Sequence, residues 1–547
     1  MKSRSKKQHR LECVLIQLLL SVSLLGLTPA PCLSAQKPRG AARLILVVVV
    51  DGLRPDSINA EDTPTLFRLQ KEGVNYINAH AVFPTVTRVN AAALSTGTYP
   101  QLNGLVSNSM FVAGVHARQA FNTGDYRQLL KLEEVSGGRL LFVKTLAEHL
   151  HERNIRFAAV SSGSTGNALL LNHRSRSGIG LLVNGALDPG RRVAYPDETN
   201  DTILSRFGPA PREEGSLLVD WTDRVLREYI LPEIRPDVVV DWQTEPDGAQ
   251  HSHGVGSPVA REALRNSDRN LGLTLKKLAD LGLIDKTDVI VISDHGFSLH
   301  NYGVGLTQEL IKAGLKAGAE SDDVVVASNG QSVLLHVKRR EPGLIKRIVR
   351  YLQTQDWVDV IFTAGQQSSR RTEGASSGIG IEKGWVEGTF SLAFIHEENA
   401  ERGPDILFTL PWSSAPNSLG VPGTHYTTVS GATGPMSGVG SGHGGLSPWT
   451  VRNTLIMWGA DFKRGATVRT PACNVDVAPT VLALKGIAAG EQMQGRVLEE
   501  AFVDGPDHEQ VQAETRIVRT QAGRYRAAIQ VTEVGRHRYI DKGWRIR

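Results

Sequence analysis

The feature that most constrains the fold is an unbroken run of seven aliphatic residues at 44–50, with the sequence LILVVVV. β-Branched side chains favour strands, and a run without polar alternation is typical of a strand buried on both faces of a parallel sheet. The run ends at Asp51 and Gly52, residue types that favour a turn. We therefore expect an α/β domain in which helices cover both faces of a sheet.

Strand and helix signals alternate further along the chain. A Thr-Pro pair at 63–64 predicts a helix start, because Pro is favoured at the first helical position, and Gly73 predicts the end of that helix. Apolar runs at 238–240 and 289–292 predict two more strands, separated by a helix that begins with Ser-Pro at 257–258. This alternation predicts a doubly wound, mostly parallel sheet flanked by helices.

The first residues have the pattern of an export signal. Five basic residues within the first ten precede an apolar run at 14–27 and the small-residue segment at 33–35. The apolar run is shorter than the about 20 residues that a membrane span needs. We therefore expect a signal peptide at 1–35 and an exported protein, periplasmic or extracellular, with no stable membrane span after cleavage. A retained anchor and a lipidated Cys32 are the alternatives.

Charge and cysteine content exclude several classes of partner and site. The formal net charge is +5, but residues 1–35 hold five Lys or Arg and one Glu, so the remainder carries only +1. No nucleic-acid duplex is expected as a partner. Cys13 and Cys32 lie in the signal, which leaves Cys473, predicted to be a buried thiol, and excludes an internal disulfide. Any metal must therefore be held by His, Asp, Glu or hydroxyl groups.

Six His and Asp residues in four separated segments are candidate metal ligands. They are Asp51, Asp247 and His251 in EPDGAQH, Asp294 and His295 in ISDHGF, and His443 in GSGHGG. Three carboxylates and three imidazoles suit two zinc ions, which take oxygen and nitrogen ligands in near-tetrahedral sites. Asp51 and Asp294 follow strands, where ligands bind in such sheets, and Asp247 is expected in a loop.

A candidate nucleophile lies in FPTVTRVN, where Thr85 and Thr87 precede a helix-prone segment. A threonine hydroxyl needs a metal or a base to become nucleophilic, and amides at a helix N-terminus can hold phosphate oxygens. Each signal also has a structural interpretation. Thr87 could cap the helix, and His425 in PGTHY competes with His443 as a ligand.

Seven segments together carry a resemblance to a known family. They read VVVVDGLRPD, TPTLFRL, FPTVTRVN, LSTGTYPQLNGLVSN, EPDGAQHSHG, ISDHGF and GSGHGGLSPWTVRNTLIMWG. They resemble the nucleotide pyrophosphatase/phosphodiesterase branch of the alkaline phosphatase superfamily, over most of the chain after the signal. The resemblance implies an alkaline-phosphatase-like α/β fold with loop insertions and a small C-terminal β extension.

The domain organisation follows from this resemblance and from the polar–apolar alternation after Arg516, which predicts short antiparallel strands. The expected parts are the signal peptide at 1–35, a catalytic domain at 36–505 with insertions at about 110–235 and 300–440, and a β-rich extension at 506–547.

The resemblance also implies roles for the site residues. One zinc would be held by Asp51, Asp294 and His295 together with the Thr87 oxygen, and the other by Asp247, His251 and His443. Thr87, rather than Thr85, would be the nucleophile. Asn90, three residues further on, would donate a hydrogen bond to a nonbridging phosphate oxygen.

The implied activity is hydrolysis of phosphate esters by two Zn2+ per chain, of the phosphodiesterase or nucleotide pyrophosphatase type, through a phosphothreonine intermediate. The substrate would be a small phosphate ester or a nucleotide. Relatives usually carry Phe-Pro where this chain has Arg88 and Val89, and an added guanidinium could favour a more highly charged phosphate. A phosphomonoesterase or phosphonate hydrolase with the same metals is therefore the alternative. A noncatalytic zinc- or phosphate-binding envelope protein is a remote one, and a sulfatase is disfavoured because the C/S-x-P-x-R segment is absent around Thr87.

Overall fold

The computed structural model describes residues 40, 42–212, 215–366, 382–436 and 438–547. The expected signal peptide at 1–35 lies outside these ranges. Within them, the structure contains no helix with the length and apolar character needed to span a bilayer.

The core of the protein is an eight-stranded sheet. Its strands are β1 (Leu44–Val50), β2 (Val74–Tyr76), β3 (Phe157–Ser161), β4 (Leu181–Asn184), β5 (Val238–Gln243), β6 (Thr287–Ile292), β7 (Leu455–Trp458) and β8 (Ala466–Val468). They lie in the order β8-β2-β7-β6-β1-β5-β3-β4. Only β7 runs antiparallel to its neighbours, β6 and β2. The predicted doubly wound, mostly parallel sheet is confirmed.

Strand β1 lies near the middle of this sheet, between β5 and β6. All seven of its residues are buried. The odd-numbered residues pack into one hydrophobic cluster and the even-numbered residues into another. Side chains alternate across a strand, so these clusters cover opposite faces of the sheet, as the unbroken aliphatic run predicts.

Four helices matter for the site or its support: α1 (Pro64–Glu72), α2 (Thr87–Thr96), α3 (Asp247–His253) and α4 (Pro258–Asp280). Helix α1 begins at its proline and ends before Gly73, as predicted. Helix α4 also begins where predicted, and the Ser257 hydroxyl caps it by accepting a hydrogen bond from the Ala260 N–H at 3.1 Å.

Other helices pack around the sheets. The α-helices are Pro100–Asn103, Tyr126–Val135, Leu146–His151, Thr165–Leu171, Glu198–Phe207, Ser216–Val225, Leu306–Lys312, Pro342–Thr354, Pro448–Val451 and Val477–Leu484, and Leu226–Ile234 is a π-helix.

Smaller sheets surround the central one. One five-stranded sheet comprises Ser298–Val304, Trp412–Pro416, Pro422–Thr428, Gly434–Pro435 and Ser441–Gly442, and another comprises Val324–Asn329, Ser332–Val337, Ile361–Thr363, Phe390–Ser391 and Ile406–Thr409. Two-stranded pairs join Ala79–His80 to Ala472–Cys473 and Ser109–Met110 to Phe121–Asn122. The C-terminal strands Glu514–Ala522, Tyr525–Val534 and His537–Arg545 form an antiparallel sheet, with longer strands than expected.

The segments beyond the central strands are closely joined to the main body. The stretch 110–235, expected as an insertion, contributes β3 and β4 to the central sheet. In the C-terminal sheet, Asp541 Oδ1 lies 2.9 Å from His80 Nε2, and the Tyr525 hydroxyl donates to the Asp359 carbonyl at 2.8 Å. The domain boundary expected at 505/506 stays a prediction.

Candidate metal centre and active site

The candidate ligands meet at the carboxyl ends of three adjacent strands. Asp51 directly follows β1, and Asp294 comes two residues after the end of β6. Asp247 follows β5, but it is the first residue of helix α3 and does not lie in the expected loop. The helix places His251 one turn further on, so Asp247 and His251 share one face.

One group of ligands consists of Asp51, Asp294 and His295, whose ligand atoms all lie within 4.8 Å of one another. His295 Nε2 is 3.1 Å from Asp294 Oδ2 and 3.6 Å from Asp51 Oδ1. Thr87 Oγ1 lies 3.3 Å from the same His295 nitrogen. The threonine hydroxyl is therefore next to this group.

The second group consists of Asp247, His251 and His443, again within 4.8 Å. Asp247 Oδ1 is 3.5 Å from the Nε2 atom of each histidine, and the two Nε2 atoms are 3.2 Å apart. Asp247 Oδ1 is also 4.0 Å from His295 Nε2, which joins the groups into one centre. The two groups have the membership that the resemblance implies.

All three histidines present the same ring nitrogen to the centre. Each Nδ1 lies at hydrogen-bond distance from a backbone carbonyl oxygen: His251 from Ser441 at 2.9 Å, His295 from Gly296 at 3.1 Å and His443 from Thr85 at 2.8 Å. A carbonyl oxygen only accepts hydrogen bonds, so we infer that Nδ1 carries the hydrogen in the neutral ring. Nε2 then offers a lone pair, which is the form of histidine that binds metals.

The carboxylates each leave one oxygen free for a cation. Asp51 Oδ2 accepts from Trp242 Nε1 at 3.0 Å, and Asp294 Oδ1 accepts from the Gly52 N–H at 3.0 Å. Asp51 Oδ1, Asp294 Oδ2 and Asp247 Oδ1 are buried and have no hydrogen-bond partner among the described residues. Because an unpaired buried carboxylate oxygen is costly, these atoms and the three Nε2 atoms fit a centre for cations such as zinc.

The electrostatics of the centre also favour a bound cation. Burial raises the pKa of the Asp51, Asp247 and Asp294 carboxyls, and repulsion from its two neighbours raises the pKa of Asp51 further. Burial lowers the pKa of His295 and His443, which favours the neutral form of both rings. A divalent cation would stabilise the ionised carboxylates and use the neutral rings as ligands.

The structure distinguishes the two candidate threonines. Thr87 is the first residue of helix α2 and faces the centre through its contact with His295. Thr85 is fully buried, and its hydroxyl donates to the Gly445 carbonyl at 3.1 Å and accepts from the Gly444 N–H at 3.0 Å. Thr85 therefore supports the loop that carries His443, and Thr87 is the hydroxyl next to the ligands.

The expected role of Asn90 is wrong. Its Nδ2 donates to the backbone oxygens of Val82 and Val86, both at 3.1 Å. Its Oδ1 accepts from the Val82 N–H at 2.7 Å and from Asn474 Nδ2 at 3.0 Å. Both amide hydrogens are committed to the protein, so Asn90 holds the turn before Thr87 and has no donor left for a phosphate oxygen.

A different asparagine, Asn108, lies beside Thr87, the candidate nucleophile, and was missed from the sequence. Its Oδ1 accepts from the Arg88 N–H at 2.9 Å. The residue is half-buried, and its Nδ2 forms no hydrogen bond within the described part of the chain. Asn108 is the last residue of the LSTGTYPQLNGLVSN segment that carries the family resemblance. Its position in that segment is the sequence signal that could have identified it.

His425, the competitor of His443, belongs to neither ligand group. It is fully buried on Pro422–Thr428, and its Nδ1 lies 2.6 Å from Ser298 Oγ. Its ring packs edge-on against His300, with centroids 4.8 Å apart. His443, and not His425, is therefore the histidine that lies in a candidate ligand group.

A family model described as type I phosphodiesterase / nucleotide pyrophosphatase matches residues 45–359, more than half of the chain. The chain belongs to this family. The matched range contains Thr87 and every candidate ligand except His443, which lies beyond it.

Curated relatives align with about half of this chain. The mouse ectonucleotide pyrophosphatase/phosphodiesterase family member 1 is 26% identical over 261 residues, which cover 46% of this chain and 24% of the relative. A venom phosphodiesterase of Naja atra is 26% identical over 271 residues, covering 48% and 27%. The chain thus spans about a quarter of the length of these phosphodiesterases.

Solved structures of the family share the fold. Human ectonucleotide pyrophosphatase/phosphodiesterase 5 superposes with a TM-score of 0.56 at 15% identity, covering 84% of this chain and all of the other. An inactive threonine-to-alanine variant of the murine protein in complex with AMP gives a TM-score of 0.54 at 14% identity, covering 82% and 96%. The alkaline-phosphatase-like α/β fold with a C-terminal β extension is confirmed.

Proposed function

We propose that this protein is a two-zinc hydrolase of phosphate esters, of the phosphodiesterase or nucleotide pyrophosphatase type, with Thr87 as the nucleophile. One observation carries the proposal: Thr87 Oγ1 lies 3.3 Å from His295 Nε2, at the edge of two adjoining groups of oxygen and nitrogen ligands. Membership of the type I phosphodiesterase / nucleotide pyrophosphatase family supports it.

The ligand atoms are of the kinds that zinc prefers. One ion would be held by Asp51, Asp294 and His295, and the other by Asp247, His251 and His443. Bound zinc would neutralise the carboxylates and lower the pKa of a nearby hydroxyl or water. Support comes from the three buried carboxylate oxygens without partners and from the three histidines whose Nδ1 atoms are occupied by backbone carbonyls.

The chain's own residues then define a two-step reaction. Thr87 Oγ loses its proton to solvent and forms a bond to phosphorus, while the bond from phosphorus to the leaving-group oxygen breaks. The electron pair stays on that oxygen, which takes up a proton from solvent. The product is a phosphothreonine at the start of helix α2, where backbone N–H groups and the positive end of the helix dipole favour an anion. A water then loses a proton to solvent and attacks phosphorus on the side opposite Thr87 Oγ, where the leaving group sat. The bond from phosphorus to Thr87 Oγ breaks, and that oxygen takes up a proton from solvent. Two in-line displacements leave the configuration at phosphorus unchanged.

The substrate class and the location belong to the same proposal. A small phosphate ester or nucleotide fits, because the murine relative named above was solved with AMP. Ectonucleotide and venom relatives support action outside the cytoplasm, as the basic and apolar N-terminal pattern predicts.

The test is a Thr87→Ala variant of the zinc-loaded protein, assayed on bis-p-nitrophenyl phosphate with zinc content measured by mass spectrometry. Turnover is expected to vanish while about two zinc ions per chain remain, because the variant loses the nucleophile and keeps the six other ligands. Thr202→Ala, at a half-buried threonine on Glu198–Phe207, is the matched control and should behave as wild type.

Two results would overturn the proposal. Unimpaired hydrolysis by Thr87→Ala would remove Thr87 from the reaction. Two zinc ions in the wild-type protein without hydrolysis of any ester on a broad panel would favour the noncatalytic zinc-binding alternative.

A further inference from the structure

Arg88, the residue directly after the nucleophile, has a fixed guanidinium. Its Nη2 donates to Asn122 Oδ1 at 3.0 Å. The same Asn122 oxygen accepts from the Gly124 N–H at 2.8 Å, so a local turn holds the asparagine in place. At the other end of the residue, the Arg88 N–H is bound by Asn108. The backbone N–H and the guanidinium of Arg88 are therefore each bound by an asparagine, and the half-buried side chain does not extend freely into solvent.

The space for this guanidinium depends on a glycine. A Cβ atom at Gly124 would lie 2.8 Å from Arg88 Nη2. A side chain at that position would make the guanidinium move from the place where it meets Asn122. The turn at 122–124 therefore provides both the acceptor and the room that the arginine needs.

The positive charge of Arg88 has no partner of opposite sign in direct contact. Among the described residues Arg88 forms no ion pair within 4.0 Å, whereas the nearby Arg127 pairs with Asp125 at 2.8 Å. Arg88 Nε is buried and has no hydrogen-bond partner in the described part of the chain. A guanidinium has five N–H donors, of which one bond to Asn122 uses one, so donors remain for an anion.

The guanidinium of Arg88 lies against the segment that borders Asn108. Between Asn122 and Gly124, the Thr123 N–H and the Thr123 hydroxyl donate to the Asn108 carbonyl at 2.9 and 2.8 Å. Asn108 in turn accepts from the Arg88 N–H beside Thr87. The positive charge is therefore held at the edge of the space in front of Thr87, where the reacting phosphate would lie.

We propose that Arg88 binds nonesterified oxygens of the reacting phosphate and raises the activity of the site on phosphate monoesters relative to its activity on diesters. This inference rests on the proposed function. A monoester carries about −1.5 to −2 charge at pH 7 and three nonesterified oxygens, whereas a diester carries one charge and two such oxygens. The planar guanidinium fork matches two phosphate oxygens at once. A second ester group would replace one of those oxygens by a neutral, substituted one.

The test compares kcat/KM for p-nitrophenyl phosphate and bis-p-nitrophenyl phosphate in Arg88→Leu. The monoester-to-diester ratio is expected to fall by about 10- to 100-fold, the range of one charge-assisted hydrogen bond. The inhibition constant of inorganic phosphate should rise by a similar factor, because that anion has the same free oxygens. Arg88→Lys keeps the charge and loses the planar fork. Its monoester-to-diester ratio should fall below that of the wild type, but less than in Arg88→Leu.

Two further variants separate recognition from structure. Asn122→Ala keeps the charge and removes the acceptor that positions it, so it should lower the ratio less than Arg88→Leu. Arg127→Leu removes a nearby exposed arginine and should leave the ratio and both rates unchanged. Zinc content and thermal unfolding of Arg88→Leu show whether the variant is folded. Both kcat/KM values scale with the amount of folded enzyme, so partial unfolding does not change the monoester-to-diester ratio.

The outcomes distinguish this inference from the proposed function. An unchanged ratio and an unchanged phosphate inhibition constant in Arg88→Leu would overturn the inference, even if Thr87→Ala abolishes both activities. Equal losses on both esters would overturn it too, because the arginine would then serve catalysis or folding without selecting the monoester. Failure of the wild-type protein to hydrolyse either ester would overturn the proposed function and this inference together.

Discussion

The indole Nε1 of Trp242 donates a hydrogen bond of 3.0 Å to Asp51 Oδ2. Trp242 is fully buried on β5, which pairs in parallel with β1, so the sheet itself fixes the distance between the two residues. The bond occupies one oxygen of Asp51 and leaves Oδ1 at the ligand centre. Trp242 therefore orients a candidate zinc ligand without touching the substrate side of the site.

Trp242→Phe should weaken the metal centre. Phenylalanine keeps most of the buried ring and removes the N–H, which leaves Asp51 Oδ2 without its donor. Loss of such a supporting bond typically costs about 10- to 100-fold in metal affinity or activity. Competition with a chelator measures the zinc affinity, and Trp458→Phe, whose indole bonds to Glu72 away from the centre, serves as control. Equal affinity in the two variants would refute the assigned role.

Asn90→Ala and Asn108→Ala should fail in different ways. Asn90 satisfies buried backbone groups of Val82 and Val86, so its removal should lower the free energy of unfolding by about 1–3 kcal/mol or more. Asn108 is half-buried beside Thr87, and its removal should lower kcat/KM by about 100-fold with a smaller change in stability. Denaturant titrations and kinetics of both variants separate the effects; the reverse pattern would restore the role of Asn90 implied by the resemblance.

Asp359 should make stability depend on pH. Burial raises its pKa to about 7, although its carboxylate accepts from the Arg545 N–H. A pKa raised in the folded state stabilises the fold at low pH, and that contribution is lost as pH rises through about 4 to 7. Asp359→Asn removes this titratable group, so its free energy of unfolding should not share the decrease expected of the wild type. The difference between variant and wild type should therefore shift by about 3 kcal/mol in favour of the variant between pH 5 and pH 8. Urea titrations at the two values measure this, and a pH-independent difference would show that Asp359 does not titrate with the fold.

Local sequence patterns predicted the parts of the fold that depend on local physics. The aliphatic run of β1 predicted a strand buried on both faces, and the Ser-Pro at 257–258 predicted the start of α4. Candidate ligands at strand ends could be named because the carboxyl ends of parallel strands share one edge. Asp247 differed only in its local setting, since the residues after it form a helix in place of the expected loop.

The roles that the sequence missed depend on long-range contacts. Asn90 is held by Asn474, which lies 384 positions away in the sequence, and no local pattern reveals that contact. The fixed position of Arg88 depends on Asn122 and Gly124, in a segment that the sequence presents only as part of an insertion. Sequence motifs therefore named the candidate ligands and the candidate nucleophile. Hydrogen-bond partners show which of the neighbouring side chains remain free to meet a substrate.

The proposed reaction depends on a covalent bond between Thr87 Oγ and phosphorus. The most direct test follows a chiral phosphorothioate diester through hydrolysis in isotopically labelled water and determines the configuration at phosphorus. Attack by Thr87 followed by attack of water predicts retention of configuration. Inversion would mean that water displaces the leaving group in one step, which would contradict a phosphothreonine intermediate.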